Sequence, residues 1–299
     1  MDNRDAVSAF LRSRREKITP EQAGLPVYGR RRVPGLRRGE VAALAGVSVE
    51  YYTRLERGSL RGVSDSVLDA LAHALRLDDT ERTYLYDLAR AAGPAPGARS
   101  RQRTVRQTVR PSVLRILEGM PGLPAYVMND RLDTLAANEL GRALYAPMYA
   151  DPACRGNVAR FAFLNSEARR FYKDWELMAR FAVGALRVEA GRNPYDPELS
   201  HLIGELSTRS DPFRVMWGSH DVHVFRRSTK RLVHPLVGDL ELDQETMALP
   251  DESGLSVVVY SARRDTPAQD ALTLLAGWSA GTGQDRAADS AGSPPSARP

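Results

Sequence analysis

The chain has 299 residues, of which 42% are hydrophobic and 26% charged, a composition that is typical of a globular protein and leaves room for two domains. Residues 1–110 carry 21 Lys and Arg against 13 Asp and Glu, a net charge of +8, whereas residues 111–299 carry 21 against 24, a net charge of −3, so the first third is expected to attract a polyanion such as DNA. No apolar run approaches the ~20 residues that cross a bilayer, and the charged N-terminus has no apolar signal core, so we expect neither membrane insertion nor export.

Residues 1–92 predict an all-α domain of five short helices. Ser48, Ser64 and Asp78 are expected to cap three of these helices, because their side chains accept hydrogen bonds from free backbone N–H groups. Gly46 can adopt the left-handed conformation that ends a helix and turns the chain. The predicted helices span residues 5–17, 38–45, 49–57, 65–75 and 79–92.

The segment LRRGEVAALAGVSVEYYTRLERG, residues 36–58, has the pattern of a helix-turn-helix. Such a motif projects its second helix into the major groove while the first helix crosses the DNA backbone. It needs small residues at the helix crossing, a glycine at the turn and apolar anchors beneath, and the candidates are Ala42 or Ala45, Gly46, Val47, Tyr52 and Leu55. A generic helical hairpin has the same pattern, so the geometry alone leaves both alternatives open.

These 23 residues resemble the lambda-repressor-like, or XRE-family, helix-turn-helix, and the flanking helices extend the resemblance to residues 5–92. The loop before the motif is longer than is usual in that family and carries Arg30-Arg31-Arg32 and Arg37-Arg38. In this respect the chain is similar to the MmyB-like regulators of actinobacteria, in which the motif precedes a C-terminal ligand-binding domain. The resemblance implies a cytoplasmic transcription regulator that binds double-stranded DNA, with a homodimer meeting two half-sites about one turn of DNA apart.

The docking pose of this family implies that the exposed first turns of the second motif helix contact bases. Arginine pairs with guanine, glutamate accepts from the cytosine amino group and valine touches the thymine methyl group. The candidates for base contact are Val49, Glu50, Tyr51 and Arg54. An alternative for Glu50 is a plain acidic residue that interacts favourably with the helix dipole.

A second set of residues is expected to contact phosphates, which sets affinity and register without carrying sequence information. A run of arginines alone would indicate a solvated surface, but beside a helix-turn-helix it favours DNA contact. The phosphate-contact candidates are Arg30, Arg31, Arg32, Arg37, Arg38, Ser48, Thr53 and Arg57. Glu56 is expected to pair with Arg14 or Arg15 instead, as is common in this fold.

The rest of the chain divides into a linker, a second domain and a tail. Residues 93–111 are rich in Pro, Gly and Arg and predict a linker, residues 112–277 predict a mixed α and β domain, and residues 278–299 predict a disordered tail. Predicted helices lie near residues 112–120, 139–146, 166–190, 196–208, 211–218 and 267–276. Predicted strands lie near residues 125–128, 132–137, 223–227, 230–234, 238–242 and 255–262.

The resemblance to MmyB-like regulators continues in AYVMNDRLDTLAAN, RNPYDPELSHLIGELSTRSDPFRVMWGSHDV and KRLVHPLVGDLELDQETMALP. It implies an α/β PAS-like domain in which an antiparallel sheet and helices surround an apolar cavity for a small, fatty-acid-like ligand. The candidate ligand contacts are Asn138, Phe163, Phe171, Trp175, Arg187 and Trp217. Each has a plainer alternative: the aromatic residues can be core, Asn138 can cap a helix, and Arg187 can lie on a solvated helix face.

Catalytic chemistry has little support in the sequence. His220-Asp221-Val222-His223 with His234 could form a metal or acid–base cluster, but no HExxH, phosphate-binding loop, GxSxG or CxxC is present, so we expect no enzyme, cofactor or metal. Cys154 is the only cysteine, which excludes an internal disulfide, and it is either an apolar filler or a reactive thiol. Two other functions stay open: an enzyme fused to a DNA-binding module, and a constitutive DNA-binding protein whose second domain only dimerises.

Overall fold

The computed structural model describes residues 3–26, 35–93, 107–219, 227–249 and 254–291, and it describes side chains as far as residue 279 apart from those of residues 227 and 228. In these ranges the N-terminal helices are α1 (Asn3–Lys17), α2 (Arg38–Leu44), α3 (Val49–Glu56), α4 (Asp65–Ala74) and α5 (Asp79–Ala91). The elements that follow are α6 (Pro111–Glu118), β1 (Ala125–Asn129), β2 (Thr134–Ala137), α7 (Glu139–Leu144), α8 (Ala146–Ala150), α9 (Val158–Leu164), α10 (Ala168–Phe171), α11 (Trp175–Arg192), α12 (Pro197–Arg209), α13 (Asp211–Gly218), β3 (Arg227–His234), β4 (Gly238–Ala248), β5 (Leu255–Ser261) and α14 (Pro267–Ala291).

The chain forms two compact units that do not follow chain order. The first unit combines Met1–Val105 with Val183–Val224, and the second combines Arg106–Ala182 with Phe225–Pro299. The boundaries of 1–92, 93–111, 112–277 and 278–299 remain predictions about the sequence domains.

The five helices predicted for residues 1–92 are confirmed, as are the caps predicted for Ser48 and Asp78, whereas the cap predicted for Ser64 is wrong. Ser64 stands at the N-cap of α4, but its side chain accepts no capping hydrogen bond and its hydroxyl lies 2.9 Å from that of Ser66 instead. The Ser48 hydroxyl accepts a hydrogen bond from the Tyr51 N–H at 3.1 Å, and Asp78 forms a reciprocal capping box with Glu81. Gly46 has a φ of +65° between α2 and α3, a conformation that costs glycine little. The chain therefore turns from α2 into α3 as a helix-turn-helix requires.

A buried carboxylate joins three of these helices. Glu56, at the end of α3, is only 3% exposed and accepts hydrogen bonds from Arg15 of α1 at 2.8 and 3.0 Å. Its other oxygen accepts a hydrogen bond from Arg38 of α2 at 2.6 Å. The predicted pairing of Glu56 with the first helix is thus confirmed for Arg15, whereas Arg14 pairs with Glu81 of α5.

The first unit also contains the C-terminal half of α11 and all of α12 and α13. Val188 of α11 packs against the apolar core formed by α1 to α5. Arg192 lies 2.8 Å from the carboxylate of Asp87 on α5, and a Cβ at Gly191 would lie 2.6 Å from the ring of Tyr84. The close approach of α11 to α5 therefore requires glycine at position 191, and the two helices pack directly against each other.

The second unit contains an antiparallel five-stranded sheet in the order β2-β1-β5-β4-β3, with helices around it. The β1–β2 turn falls at the predicted place, where Asn129 Oδ1 accepts hydrogen bonds from the N–H groups of Arg131 and Asp133 at 3.0 and 2.9 Å. The sheet and its helices confirm the expected fold class of a helical N-terminal domain and an α/β second domain.

Several predicted bounds are wrong. The helix predicted for residues 166–190 is two helices, because Tyr172 forms a bridge with Leu232 of β3 and the Lys173 N–H donates to the Arg231 carbonyl at 3.0 Å. Residues 158–164 form α9, which the sequence analysis did not predict, and β4 continues to Ala248. The last helix continues through the predicted tail to Ala291, where alanines favour helix. The strand predicted for residues 223–227 lies largely outside the described residues.

A lysine is buried in the second unit. The ammonium group of Lys230 on β3 lies 3.6 Å from the sulfur of Met178 and 5.1 Å from the ring centre of Phe181. Because burial disfavours the charged form, the pKa of Lys230 falls to about 8.

Replacing Glu56 by Ala is expected to destabilise the chain by about 3–5 kcal/mol, because the change leaves the buried Arg15 guanidinium without its carboxylate. Denaturant unfolding measures the loss. The control is Glu176→Ala, since the pair between Glu176 and Arg180 is exposed and such pairs contribute little. Equal stabilities of the two variants would contradict the role of Glu56.

Between about pH 8 and 10.5, the free energy of unfolding of the intact chain should rise relative to that of Lys230→Met. In this range the unfolded chain still holds the Lys230 proton, whereas the folded chain has released it. Chemical denaturation of both proteins across this pH range measures the difference between their free energies of unfolding. The tyrosines are the same in both proteins, so their contributions cancel in this difference. Parallel pH profiles would show that Lys230 is not buried as described.

Candidate DNA-binding surface and ligand-contact residues

The outward face of α3 forms an open surface depression. Tyr52 and Leu55 of α3 are fully buried, so the helix period turns its other side chains away from the core. Val49 is 45% exposed, although most valines are buried. The depression is lined by Arg4, Val49, Glu50, Thr53, Arg54, Arg57 and Ser59.

The structure brings three of the four candidates for base contact together on this face, and the fourth, Tyr51, lies at its edge and packs against the apolar core. Val49, Glu50 and Arg54 line the depression, and the Arg54 guanidinium lies 4.8 Å from the ring centre of Tyr51. A cation–π contact of this kind limits the positions of a long side chain. The arrangement places a fork of N–H donors, a carboxylate and an apolar side chain side by side, which are the groups that distinguish bases in the major groove.

The phosphate-contact candidates are placed differently. Thr53 and Arg57 lie on the α3 face, and Ser48 caps the helix. Arg37 stands at the N-cap of α2, and Arg38, although half exposed, is bound to Glu56. Arg30, Arg31 and Arg32 lie outside the described residues.

Sequence reasoning missed the contribution of α1 to this surface. Arg4, in the first turn of α1, lines the depression beside Arg54 and Arg57. Gly58 follows α3 with a φ of +92°, and a Cβ there would lie 2.4 Å from the carbonyl oxygen of Arg4. Gly58 therefore allows the first turn of α1 to lie against the end of α3, and the glycine of LERG was the sequence signal for this contact.

Three aromatic candidates for ligand contact lie in the second unit. The rings of Phe163 and Trp175 meet edge to face at 5.9 Å, and Arg169 lies 3.9 Å from the centre of the Trp175 ring. Phe171 is buried among Phe161, Tyr145 and Tyr172, with ring centres 5.0 to 5.5 Å away. All three therefore belong to aromatic clusters of this unit.

Asn138 has the helix-capping role that the sequence analysis gave as its alternative. Its Oδ1 accepts hydrogen bonds from the N–H groups of Gly141 and Ala125 at 2.8 and 3.0 Å. Its amide group donates to the carbonyls of Met120 and Leu123 at 2.9 and 2.7 Å. Asn138 thus fastens α7 and β1 to the preceding loop.

Arg187 and Trp217 lie in the first unit, whereas the other four candidates lie in the second. The alternative that places Arg187 on a solvated helix face is wrong, because this side chain is only 2% exposed. Its guanidinium lies 4.3 Å from the centre of the Trp217 ring and donates to the Trp217 carbonyl.

A cluster of buried tyrosines in the second unit was not predicted. The Tyr260 hydroxyl lies 2.8 Å from that of Tyr145 and 3.2 Å from that of Tyr126, and it donates to Gln244 Oε1 at 3.3 Å. Burial raises the pKa of all three tyrosines, so their hydroxyls stay protonated. The alternation of side chains along β1 and β5 was the available sequence signal. Tyr126 and Tyr260 are 134 residues apart in the chain, so their contact could not be deduced from it.

Of the candidate catalytic and metal-binding residues, the structure describes only His234. His234 Nε2 lies 3.0 Å from the Ala143 carbonyl oxygen, whereas His220 and His223 lie outside the described residues. Within the described ranges, no group of three or more His, Cys, Asp or Glu could hold a metal ion. Burial raises the pKa of Cys154 to about 12, which favours an apolar filler over a reactive thiol.

Comparison with protein families agrees with this geometry. A helix-turn-helix domain family matches residues 6–85. The family described as the MmyB-like transcription regulator ligand binding domain matches residues 109–275, which is more than half of the chain. The protein belongs to the MmyB-like transcription regulators. A search of curated proteins finds no match.

The MmyB-like regulator therefore combines a DNA-binding domain with a ligand-sensing domain, as the resemblance implied. Its DNA-binding family match begins at residue 6 within α1 and includes both motif helices. Among the helices that the structure describes, none is long and apolar enough to span a bilayer.

Gly58→Ala is expected to destabilise this MmyB-like regulator more than Gly62→Ala. Both glycines have positive φ, which costs alanine about 1–2 kcal/mol, but only Gly58 lies against backbone, since nothing lies within 4 Å of a Cβ at Gly62. The backbone overlap should add about 1–3 kcal/mol. Denaturant unfolding compares the variants, and equal losses would show that α1 does not lie against α3.

Proposed function

We propose that this MmyB-like regulator is a cytoplasmic, sequence-specific DNA-binding protein that acts as a homodimer and reads bases with α3. The observation that carries the proposal is the exposed group of Val49, Glu50 and Arg54 on the outward face of a helix whose other face is fully buried. Arg54 pairs with guanine, Glu50 accepts from a cytosine amino group and Val49 contacts a thymine methyl group. Tyr51 supports the Arg54 guanidinium.

Phosphate contacts flank the base contacts in this proposal. Arg57 and Thr53 bind the backbone beside α3, and Arg4 extends the positive surface onto α1. Ser48 and Arg37 contact phosphates at the N-terminal ends of the two motif helices, and so does the exposed part of Arg38. Arg30, Arg31 and Arg32, in the loop before the motif, are further phosphate contacts in this proposal. Each neutralised phosphate releases counterions, so affinity depends on salt.

The second domain senses a small apolar, fatty-acid-like ligand and carries no catalytic activity. Support comes from the family match and from the aromatic side chains Phe163, Phe171 and Trp175. The unreactive Cys154 thiol is consistent with a sensor rather than an enzyme.

Arg54→Ala should cost about 1–3 kcal/mol of binding free energy on the preferred site and relax the preference at one base pair. Fluorescence anisotropy with the promoter beside the protein's own gene, and with single-base variants of it, measures the effect. Arg209→Ala is the control, because Arg209 is exposed and lies outside the α3 surface. Equal losses on every DNA would contradict base reading by Arg54.

Arg57→Ala should weaken binding to all DNA sequences alike and reduce the slope of log affinity against log salt by about 1. The same titrations at several salt concentrations give the slope. An unchanged slope would exclude a phosphate contact by Arg57.

Thermal denaturation with a series of fatty acids tests the ligand proposal. A sensor shows a saturable increase in melting temperature, because the ligand binds only the folded state. A second domain that only dimerises shows no saturable shift, and turnover of any added compound would indicate an enzyme.

A further inference from the structure

A cavity of about 200 Å³ lies within the first unit and plays no part in the proposed DNA contact. It is formed by α1, α5, the C-terminal half of α11, α12 and α13. Apolar side chains, among them Leu199 and Ala6, make up most of its wall. The polar groups that reach it include Tyr84, Asn3 and Arg187.

Arg187 brings a full positive charge to this wall. Arginine stays protonated at neutral pH, and the side chain of Arg187 is 2% exposed. Trp217 holds the guanidinium from one side through its ring and its carbonyl. Burial lowers the pKa of Arg187 to about 10, although the charge interaction and the hydrogen bond with Tyr84 raise it in part. An anion beside this buried cation would offset the cost of its burial.

We propose that this cavity binds a compact organic carboxylate, with the carboxylate group on Arg187 and the apolar body between Trp217 and Leu199. A planar guanidinium presents a fork of N–H donors that matches a carboxylate. The aromatic wall suits a ring or a short branched chain. The buried Oδ1 of Asn3 accepts no hydrogen bond within the described part of the chain and can take one from a ligand hydroxyl group.

The size of the cavity separates this ligand from the fatty-acid-like ligand of the second domain. An apolar cavity of about 150 Å³ accommodates benzene, and this cavity measures about 200 Å³. This space suits a molecule such as benzoate or isovalerate and is too small for a long acyl chain.

The cavity and the DNA-binding surface share the first turn of α1. Asn3 and Ala6 line the cavity, whereas Arg4, between them in sequence, lines the depression beside α3. Asn3 also donates to the Leu88 carbonyl of α5 at 3.2 Å. A ligand in the cavity therefore holds this turn in the position that presents Arg4 to DNA; this coupling rests on the proposed function, whereas the binding site does not.

Isothermal titration of the full chain with benzoate and with isovalerate tests the site, with benzamide and isovaleramide as neutral counterparts. We expect saturable binding of at least one acid, at least tenfold tighter than that of its amide. Arg187→Met should abolish it, whereas Arg180→Met, an exposed arginine on the same helix, should not. Binding of neither acid, equal binding of acid and amide, or unchanged binding by Arg187→Met would overturn the site.

A second pair of variants keeps the test decisive if Arg187→Met does not fold. Ala190 lines the cavity, whereas Ala185 on the same helix does not line it. Ala190→Leu should fill the space and weaken acid binding at least tenfold while Arg187 remains. Ala185→Leu should bind the acid like the intact chain, and equal binding by both variants would place the ligand elsewhere.

DNA titration with and without the acid that binds then tests the coupling. We expect DNA affinity to rise fivefold or more with the acid present, and acid affinity to rise by the same factor with DNA present, because linkage is reciprocal. Unchanged DNA affinity would overturn the coupling but not the site. Loss of specific DNA binding in every condition would instead overturn the proposed function, since the calorimetric result does not depend on DNA.

Discussion

Glu56 is a carboxylate buried between two arginines, and the arrangement of the first three helices depends on it. Arg15 reaches it from α1 and Arg38 from α2, while Glu56 itself ends α3. A buried carboxylate that loses its partners is strongly destabilising, although a buried ion pair need not be more stable than apolar residues of similar volume. The pairing therefore specifies one arrangement of the helices rather than adding much net stability, and in that arrangement Arg54 and Arg57 face outward.

The first unit contains both the DNA-binding helices and part of the segment that matches the ligand-binding family, so the two are in direct contact. Residues 183–219 belong to that segment in sequence, but they pack with α1 and α5. A ligand changes an equilibrium only through a difference in its affinity for the two states. Contacts such as Arg192 with Asp87 and Gly191 with Tyr84 give a change in α11 a physical way to alter the position of α5.

Local rules predicted much of the fold and of the DNA-binding surface. Ser48, Asp78 and Gly46 act within a few residues of their own positions, so their roles can be deduced from sequence alone. The exposed face of α3 could be predicted from the spacing of its apolar residues, which is also a short-range pattern. The strands β1 and β2 were also predictable, because their turn lies between them.

Features that depend on distant residues could not be predicted. The break at Tyr172 is imposed by Leu232, 60 positions later in the chain. The burial of Arg187 depends on Trp217 and on helices from the N-terminal part of the sequence. Polarity suggested a solvated arginine, and only the packing of α11 to α13 reverses that expectation. The role of Arg4 depends in the same way on Gly58, since no local pattern in α1 indicates that its first turn lies against α3.

The central claim is that α3 reads bases for a sequence-specific regulator. Selection of binding sites by the full chain from a pool of random-sequence DNA tests it most directly, because no operator has to be assumed. The account predicts enrichment of one motif, built from two related half-sites about one helical turn apart, and loss of that motif when Val49, Glu50 and Arg54 are all replaced by alanine. Retention of DNA without any enriched motif, or the same motif from the triple variant, would contradict it.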